Sequence, residues 1–333
     1  MSIPKEISNK VNSLPTPGNV RSIADMNLLR SMNLNNGRLE VELATAALAP
    51  LAQEWLKGQI LDIAKEGGIG EADVKFTEAL PKDLNEVKNV IAIMSGKGGV
   101  GKSLVASLMA VSLQRQGYAV GILDADITGP SIPRMFGITE RPSGNETGML
   151  PVTSKSGIEI MSINLLLAQE DDAVIWRGPL IGKAITQFWE EVLWGKLDYL
   201  IVDLPPGTAD APLSVLQVLP VSGVVIVFTP QELTAMIVKK AVKMTQQMKK
   251  PVLGLVENMS YLYVPELKKK IEIFGRSRAR EMELASGAEL LAQIPIDPDL
   301  ARLCDEGKIE LYAVGEVEDL GKNLLKSLAA RKA

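Results

Sequence analysis

The 333-residue chain contains no histidine and a single cysteine, Cys304. Without histidine it cannot form a Ser-His-Asp triad or a histidine-ligated zinc site, and it has no imidazole for acid–base catalysis. With one cysteine it cannot form an internal disulfide. Any chemistry must therefore depend on carboxylates, lysines, backbone dipoles and bound metal ions.

The chain also lacks an excess of positive charge and any long apolar run. Its 36 basic residues are outnumbered by 40 acidic residues, and the net charge of -4 argues against nucleic acid as the main partner. No apolar run has the length of a transmembrane helix, and the N-terminal residues lack the features of a signal peptide. These absences favour a cytoplasmic protein with no nucleic-acid partner.

A glycine-rich segment follows the apolar run 90–94, whose β-branched residues predict a buried strand. The segment fits the pattern G-x-x-x-x-G-K-[ST] at Gly96, Gly101, Lys102 and Ser103. In this pattern backbone N–H groups surround an anion, the lysine reaches the outer phosphates and the hydroxyl binds Mg²⁺. The next residues have helical composition, which places the phosphates at a helix N-terminus. The alternative is a glycine-rich turn that binds no ligand.

From residue 89 onward, apolar strand-like runs alternate with longer helical patterns, which predicts an α/β fold with a doubly wound, mostly parallel sheet. The predicted strands are 90–94, 119–123, 158–163, 199–202, 224–228, 252–256 and 290–294. The predicted helices are 103–116, 179–194, 210–219, 232–248 and 277–286. In such folds ligands bind at the carboxyl ends of the strands.

Residues 1–80 differ in composition from the rest and predict a small α/β domain. Apolar and charged residues alternate over 38–43, an amphipathic helix begins at Pro50, and residues 72–76 are a second candidate strand. The polar segment 81–88 is the predicted linker to the P-loop domain, residues 89–333.

Polar side chains follow three other predicted strands. Asp124 and Asp126 come after the strand 119–123, Asp203 ends the strand 199–202, and Asn258 follows the strand 252–256. A carboxylate beside a triphosphate can orient water or bind Mg²⁺, and Asp203 has the Walker B position. The amide of Asn258 can both donate and accept hydrogen bonds, which suits the edge of a purine base. The N–H of Gly207 is a candidate sensor of a γ-phosphate. The alternative for one of the two early aspartates is a turn cap.

Lys97 is a second lysine in the glycine-rich segment, where the pattern requires only Lys102. An ammonium at this point can contact a phosphate in its own subunit or across a subunit interface. The alternative is a solvated loop lysine.

An amphipathic C-terminal run contains Leu320, Leu324, Leu325 and Leu328 together with lysine and arginine. Such a helix can bind a membrane surface or dock on the protein. We favour docking, because the run is short and has no aromatic anchor.

Together these motifs resemble the deviant Walker A ATPases, which include MinD, ParA and the nitrogenase iron protein. The closer resemblance is to the Mrp (ApbC-like) family of iron–sulfur cluster carriers. It covers most of residues 89–310 and includes the segments 124–134, 176–179, 203–208, 257–261, 273–275 and 294–298. Residues 1–80 are similar to the small iron–sulfur assembly domain that often precedes this ATPase.

The resemblance implies an ATP- and Mg²⁺-dependent homodimer that serves iron–sulfur apoproteins or assembly factors. It implies catalytic roles for Lys97, Lys102 and Asp126, the last as the switch I carboxylate, and Mg²⁺ binding by Ser103 and Asp203. The implied nucleotide-binding residues are Gly96, Lys97, Gly98, Gly99, Val100, Gly101, Lys102, Ser103 and Asn258.

The chain departs from the family where the iron–sulfur cluster would bind. The usual Cys-Pro-x-Cys motif is replaced by Val264-Pro-Glu-Leu267, and the usual cysteine of the N-terminal domain is replaced by Ala49. These side chains cannot replace thiolate ligands. Cys304 is the one remaining thiol, and the alternative to a role as a ligand is that it is a buried small apolar residue. Three functions therefore stay open: a cluster carrier, a cluster-free ATP-dependent scaffold or regulator, and a MinD-like membrane-positioning ATPase. Nothing in the sequence indicates the acceptor site of a kinase.

Overall fold

The computed structural model of the chain describes residues 3–126, 131–166, 178–208, 210–231 and 234–332. Contacts divide the chain into two compact units. Unit 1 contains Met1–Lys88, Arg141–Thr153 and Gln187–Leu197, and unit 2 contains Asn89–Glu140, Ser154–Thr186 and Asp198–Ala333. The division into residues 1–80, a linker at 81–88 and residues 89–333 stays a prediction, and the compact units group residues 81–88 and two later segments with unit 1.

Helices and strands are interspersed along the described part of the chain. The α-helices are α1 (Lys5–Asn12), α2 (Pro50–Glu66), α3 (Pro81–Leu84), α4 (Lys102–Arg115), α5 (Ile132–Met135), α6 (Gly178–Glu191), α7 (Asp210–Val218), α8 (Thr234–Gln247), α9 (Ala279–Ser286), α10 (Pro298–Asp305) and α11 (Gly315–Lys332). The strands are β1 (Leu29–Asn35), β2 (Arg38–Ala44), β3 (Glu71–Thr77), β4 (Glu86–Ser95), β5 (Val120–Asp124), β6 (Gly144–Asn145), β7 (Gly148–Met149), β8 (Val152–Thr153), β9 (Glu159–Ser162), β10 (Lys196–Asp203), β11 (Gly223–Phe228), β12 (Val252–Glu257), β13 (Leu262–Val264), β14 (Lys269–Ile271) and β15 (Leu290–Gln293). Short 3-10 helices cover Ile163–Leu166, Pro265–Leu267 and Ile309–Leu311.

Unit 1 contains a three-stranded sheet in the order β1-β2-β3. β1 and β2 are antiparallel and are joined by Asn36 and Gly37, which both have positive φ and form the tight turn that this residue pair favours. β2 and β3 are parallel, and α2 connects them. The strands predicted near residues 39–43 and 72–76 and the helix from Pro50 are therefore present, whereas α1 and β1 were not predicted.

The core of unit 1 lies between this sheet and α2. Leu39, Val41 and Leu43 alternate with more exposed neighbours along β2, as a strand with one buried face requires. Leu150 and Leu193 belong to the same hydrophobic core although they come from the two later segments. The core therefore depends on residues that lie far apart in the sequence.

Unit 2 contains the predicted α/β sheet. Its strands lie side by side in the order β15-β12-β11-β4-β10-β5-β9, and the ladders between β11 and β4, β11 and β12, β12 and β15, β10 and β5, and β5 and β9 are parallel. The first strand, β4, lies between β10 and β11, so the strand order changes direction beside it. The carboxyl end of β4 is therefore the position where this fold class places its ligands.

The seven strands predicted for the P-loop domain are all present in unit 2, with bounds that differ by a few residues. The five predicted helices correspond to α4, α6, α7, α8 and α9, and the first two residues of the predicted helix 232–248 lie outside the described residues. The helix that contains Cys304, α10, begins with a cap, because the side chain of Asp297 accepts a hydrogen bond from the N–H of Asp299 at 2.8 Å.

The C-terminal helix α11 is docked on unit 2. Leu320 and Leu324 are fully buried, and α11 contacts α4 and β15. The side chains of Ser327 and Arg331 donate hydrogen bonds to carbonyls of β12. The apolar face of the helix is therefore covered by protein, as the docked alternative predicts. In the described part of the chain, no helix combines the length and the hydropathy that crossing a bilayer requires.

We expect Leu324→Ala to lower the free energy of unfolding by about 2–5 kcal/mol, because it leaves a cavity under α11. The matched control is Leu311→Ala, which truncates a leucine that is 67% exposed and should change the free energy by less than about 0.5 kcal/mol. Urea unfolding followed by circular dichroism measures both. Equal effects of the two substitutions would contradict the docking of α11.

Candidate nucleotide-binding site

The glycine-rich loop connects the carboxyl end of β4 to the first turn of α4. Gly99 and Gly101 have φ values of 77° and 78°, in the left-handed region that glycine adopts without strain. The helix begins at Lys102, so its first N–H groups, which have no partner inside the helix, lie at the loop. A loop of this shape at a helix N-terminus binds phosphate.

Asn258 holds the loop from the end of β12, which is separated from β4 by β11. Its side-chain amide donates a hydrogen bond to the carbonyl of Val100 at 2.8 Å, and its backbone N–H donates to Phe228. A Cβ atom at Gly101 would lie 2.1 Å from Nδ2 of Asn258. Gly101 is therefore required both by its backbone conformation and by the close approach of this amide. A contact between Asn258 and adenine stays a prediction.

Lys102 is the buried cation of the site. Its side chain is 5% exposed, and its Nζ lies 2.6 Å from Oδ1 of Asp203 and 3.4 Å from Oδ2 of Asp126. These three groups come from α4, β10 and the residues after β5, so the sheet brings together side chains that the sequence separates. The ammonium compensates two carboxylates, which would otherwise repel each other and any bound phosphate.

The carboxylate of Asp203 fits a Mg²⁺ site. It is fully buried, and its Oδ2 has no hydrogen-bond partner in the described part of the chain. Burial raises its pKa, while the Lys102 ammonium and a hydrogen bond from Ser103 lower it. A carboxylate oxygen with unused acceptor capacity beside a serine hydroxyl is the hard oxygen donor set that Mg²⁺ prefers.

The two early aspartates have different positions. Asp126 lines the loop cavity and contacts Lys102, whereas Asp124 is fully buried beneath it. Asp124 accepts hydrogen bonds from the N–H of Asp126 at 3.2 Å and from Oγ of Ser162 at 3.1 Å. Burial, with the Asp203 charge, raises the pKa of Asp124 to about 8. Asp124 therefore supports the turn that carries Asp126. The residues after it, 127–130, lie outside the described residues, as do Trp176 and Arg177 of another family segment.

Lys97 extends from the loop to the end of β11. Its Nζ donates a short hydrogen bond to Oε1 of Gln231. Its own carbonyl accepts from the hydroxyl of Ser95 at 2.9 Å, and the N–H of Gly207 donates to the carbonyl of Ser95 at 3.0 Å. The N–H of Gly207, the candidate γ-phosphate sensor, is therefore bonded to the last residue of β4, just before the loop.

Two cavities meet at the loop. One, of about 310 Å³, is lined by the loop, Asp126 and Pro206. The other, of about 450 Å³, is mostly apolar and is lined by Asn258, Phe274, Leu300, Cys304 and further residues of α10 and the preceding turn. The cavities share Leu104 and Met135. A phosphate-binding loop beside an apolar cavity offers separate places for the phosphates and the base of one nucleotide.

The positions of the missing cluster ligands carry no metal-binding side chain. Val264 ends β13, Leu267 lies in the following 3-10 turn and is 62% exposed, and Ala49 precedes α2. Cys304 is half-buried on α10. Among the described residues, no group of three or more histidine, cysteine, aspartate or glutamate side chains is arranged to hold a metal ion.

Sequence reasoning did not find Gln231 or Ser162 as partners of site residues. Gln231 follows the carboxyl end of β11, the same edge of the sheet that carries Asp126 and Asp203. A search for polar residues after every predicted strand finds it. Ser162 ends a strand whose pairing with β5 the sequence does not specify.

We expect Gly101→Ala to weaken Mg-ATP binding at least tenfold, because the new methyl group meets Asn258 in addition to straining the backbone. The matched control is Gly99→Ala. Gly99 has a similar positive φ, but no atom lies within 4 Å of the added Cβ, so this substitution should weaken Mg-ATP binding less than Gly101→Ala does. Titration with a fluorescent ATP analogue measures both. The double variant Gly101→Ala/Asn258→Ala should recover part of the loss, and no recovery would contradict the clash.

We expect Cys304 to react slowly with iodoacetamide. Burial and the Asp305 carboxylate raise the pKa of its thiol to about 11 from 9.0, and the thiolate is the reactive form. At pH 8 alkylation should therefore be about a hundredfold slower than that of an ordinary thiol, and it should accelerate as the pH rises toward 11. Mass spectrometry of the single cysteine measures the rate, with the urea-unfolded chain as control. A native rate equal to the unfolded rate would contradict this burial.

Comparison with known proteins agrees with this geometry. Residues 86–330 match the family model described as ParA, NUBPL iron-transfer P-loop NTPase. An iron–sulfur cluster carrier protein from Clostridium perfringens is 42% identical over 264 residues, which cover 77% of this chain and 92% of that protein.

Two solved structures are similar in fold to about seven tenths of this chain. A nucleotide-binding protein from Archaeoglobus fulgidus in complex with ADP is 45% identical, with a TM-score of 0.64 over 71% of this chain and 93% of its own. The MinC:MinD cell division complex of Aquifex aeolicus is 19% identical, with a TM-score of 0.53 over 72% of this chain and 96% of its own, and it supports the fold alone. Because the family model covers most of the chain, the protein belongs to the NUBPL iron-transfer family of P-loop NTPases.

Proposed function

We propose that this protein is a Mg²⁺-dependent ATPase that works as a cytoplasmic homodimer and carries or assembles iron–sulfur clusters for apoprotein partners. The observation that carries the proposal is the buried Lys102 ammonium between Asp203 and Asp126 at the end of a glycine-rich loop. Family membership and the ADP-bound relative support the nucleotide, and the names of the curated relatives support the cargo.

Nucleotide binding exchanges the partners of Lys102. The β- and γ-phosphates attract its ammonium more strongly than two carboxylates that share it, because they bring more negative charge. The carboxylate of Asp203 then needs a new counter-charge, since a buried carboxylate without one is costly. Asp203 and Ser103 would hold Mg²⁺ there, and the ion supplies neutralisation of the phosphate charge.

Asp126 orients the attacking water in this proposal. It lines the phosphate cavity, and its side chain is 13% exposed, so a water molecule can reach it. Asp124 fixes its backbone from below. Phosphoryl transfer requires positioning and charge neutralisation more than proton abstraction, so one well-held carboxylate beside the γ-phosphate is sufficient.

Lys97 provides the second cation, either to the phosphates of its own subunit or across the dimer interface. Its present partner, Gln231, is neutral. A lysine that leaves an amide oxygen for a phosphate gives up less interaction free energy than a lysine that leaves a carboxylate, because its bond to the neutral amide is weaker. The contact with Gln231 therefore keeps Lys97 ordered without opposing its transfer.

A second candidate function is a cluster-free ATP-dependent scaffold or regulator. Val264 and Leu267 favour it, because neither side chain can ligate iron. In this alternative the ATP cycle controls protein contacts, and any cluster is held by partner proteins.

We expect Lys102→Ala to abolish both tight ATP binding and hydrolysis. Lys97→Ala and Asp126→Asn should keep ATP binding within about threefold and lower the hydrolysis rate by about 10²-fold or more, because they act on the transition state. Calorimetric titration with Mg-ATP and phosphate release measure the two quantities. Unchanged hydrolysis in Asp126→Asn would remove the proposed role of this carboxylate.

Anaerobic reconstitution with iron and sulfide separates the two functions. The carrier predicts a stoichiometric cluster, seen as visible absorbance and iron content, and Cys304→Ala tests whether the single thiol is a ligand. Near-zero iron in both the unaltered chain and Cys304→Ala, with ATP hydrolysis intact, would contradict the carrier hypothesis and favour the cluster-free scaffold.

A further inference from the structure

The apolar cavity beside the glycine-rich loop has one aromatic residue in its wall. Among the described residues that line it, Phe274 is the single aromatic side chain. The lining also contains the carboxylates of Asp297 and Asp305 and, within the described part of the chain, no lysine or arginine. A phosphate buried there would lack a counter-charge, which is costly. The cavity therefore suits an uncharged group.

The other walls connect this cavity to the phosphate-binding loop. Leu300, Ala301 and Cys304 come from one face of α10, because residues three and four apart lie on the same side of a helix. Leu104 and Met135 line both this cavity and the loop cavity. An occupant that spans the two cavities therefore needs an anionic end and an apolar end, as a nucleotide has.

Phe274 lies in a tight turn that follows β14. The N–H of Gly275 donates to the carbonyl of Glu272 at 3.3 Å, and Gly275 has a φ of 95°. This bond closes a four-residue turn in which Phe274 is the third residue. The turn thus fixes the backbone of Phe274 within a segment, 265–277, whose residues are all exposed.

The chain just after this turn is bonded to the strand end that precedes Asn258. Glu257, the last residue of β12, is fully buried, and its Oε1 accepts from the backbone N–H of Arg278 at 2.8 Å. Its Oε2 accepts from Nε2 of Gln293 at 2.7 Å, and the same Nε2 donates to Oγ of Ser277 at 2.8 Å. The strand that supports the glycine-rich loop therefore also fixes the turn.

We propose that Phe274 stacks on the base of the bound nucleotide, and that Glu257 and Gln293 position its turn. The inference rests on the proposed function and deepens it, since it names a residue that contacts the base of ATP. An aromatic ring and a base attract each other through their π-faces, and stacking removes apolar area from water. Phe274 thus adds affinity that depends on the presence of a base.

A second subunit is the other candidate partner of this ring. The proposed homodimer can bring a second copy of the chain against the segment that contains Phe274. In that case loss of the ring would weaken the dimer and not the contact with the base. The position of Phe274 favours the base, because the same cavity is lined by Asn258 and is joined to the loop cavity.

The first test compares Mg-ATP with Mg-tripolyphosphate, which has a phosphate chain and no base, by calorimetric titration. Phe274→Ala should weaken Mg-ATP binding about tenfold and leave Mg-tripolyphosphate binding unchanged, because only ATP has a base to stack. Phe274→Trp should retain the affinity for Mg-ATP, since it keeps an aromatic face. The matched control is Ile273→Ala, which truncates a neighbouring side chain that is 50% exposed and is not among the residues lining the cavity. It should leave both affinities unchanged.

The positioning role has its own test. Gln293→Ala should weaken Mg-ATP binding about threefold in the unaltered chain and cause no further loss in Phe274→Ala, because residues that act through one contact are not additive. It should leave Mg-tripolyphosphate binding unchanged. Independent losses in the two backgrounds would remove the positioning role of Gln293.

Cys304 reports whether a base enters the cavity, because it lines the wall formed by α10. Saturating Mg-ATP should suppress alkylation of this thiol by iodoacetamide at alkaline pH, and saturating Mg-tripolyphosphate should not. Mass spectrometry of the single cysteine measures both rates on the full chain.

Four outcomes would overturn the stacking role of Phe274. They are unchanged Mg-ATP affinity in Phe274→Ala, an equal loss of affinity for Mg-ATP and Mg-tripolyphosphate, alkylation of Cys304 as fast with Mg-ATP as without it, and a Phe274→Ala variant that changes only the monomer–dimer equilibrium in sedimentation. Each leaves the proposed ATPase standing when the unaltered chain hydrolyses Mg-ATP. An unaltered chain that does not bind Mg-ATP would overturn both.

Discussion

The structure of the site depends on the compensation of charge around Lys102. Two carboxylates, Asp203 and Asp126, and a third in Asp124 lie in or near a buried space that must also accept a polyanion. The Lys102 ammonium holds this arrangement together, and burial raises the pKa of Asp124 to about 8, which limits the negative charge near neutral pH. The sheet makes this clustering of charged side chains possible, because the ends of β4, β5 and β10 lie at one edge of the sheet.

The local parts of this design were predictable from the sequence, since each has a short-range signature. The glycine-rich loop, the strands of unit 2 and the polar residues after them follow from composition and periodicity. The contacts between distant residues were not predictable in this way. The bond from Asn258 to Val100, the partner of Lys97 and the membership of Leu150 and Leu193 in the core of unit 1 all depend on how elements pack, which no local pattern specifies. The two strands β13 and β14 were not predicted because each has only three residues and because two of the three residues of β14 are lysine, which strands disfavour.

The proposed nucleotide site has the residue types that its chemistry requires, whereas the segment expected to hold a cluster lacks thiolates. Phosphate binding uses backbone N–H groups and a few charged side chains, whereas cluster binding requires thiolates. The two proposed sites therefore use different kinds of residue, although Phe274, which follows β14, lines the apolar cavity beside the loop. Val264 and Leu267, at the positions where the resemblance implies cysteines, lie beside the exposed lysines and Ile271 of β14.

The contact between Asn258 and the loop has a consequence for the rate of nucleotide exchange. Because this amide donates to the Val100 carbonyl, the shape of the loop is supported by a contact within the protein and does not depend on phosphate alone. Under the proposed function, we expect association to resemble an encounter with a preformed receptor. Under the proposed function, we expect the residence time of a nucleotide to depend on the ions and on the apolar cavity more than on reorganisation of the backbone.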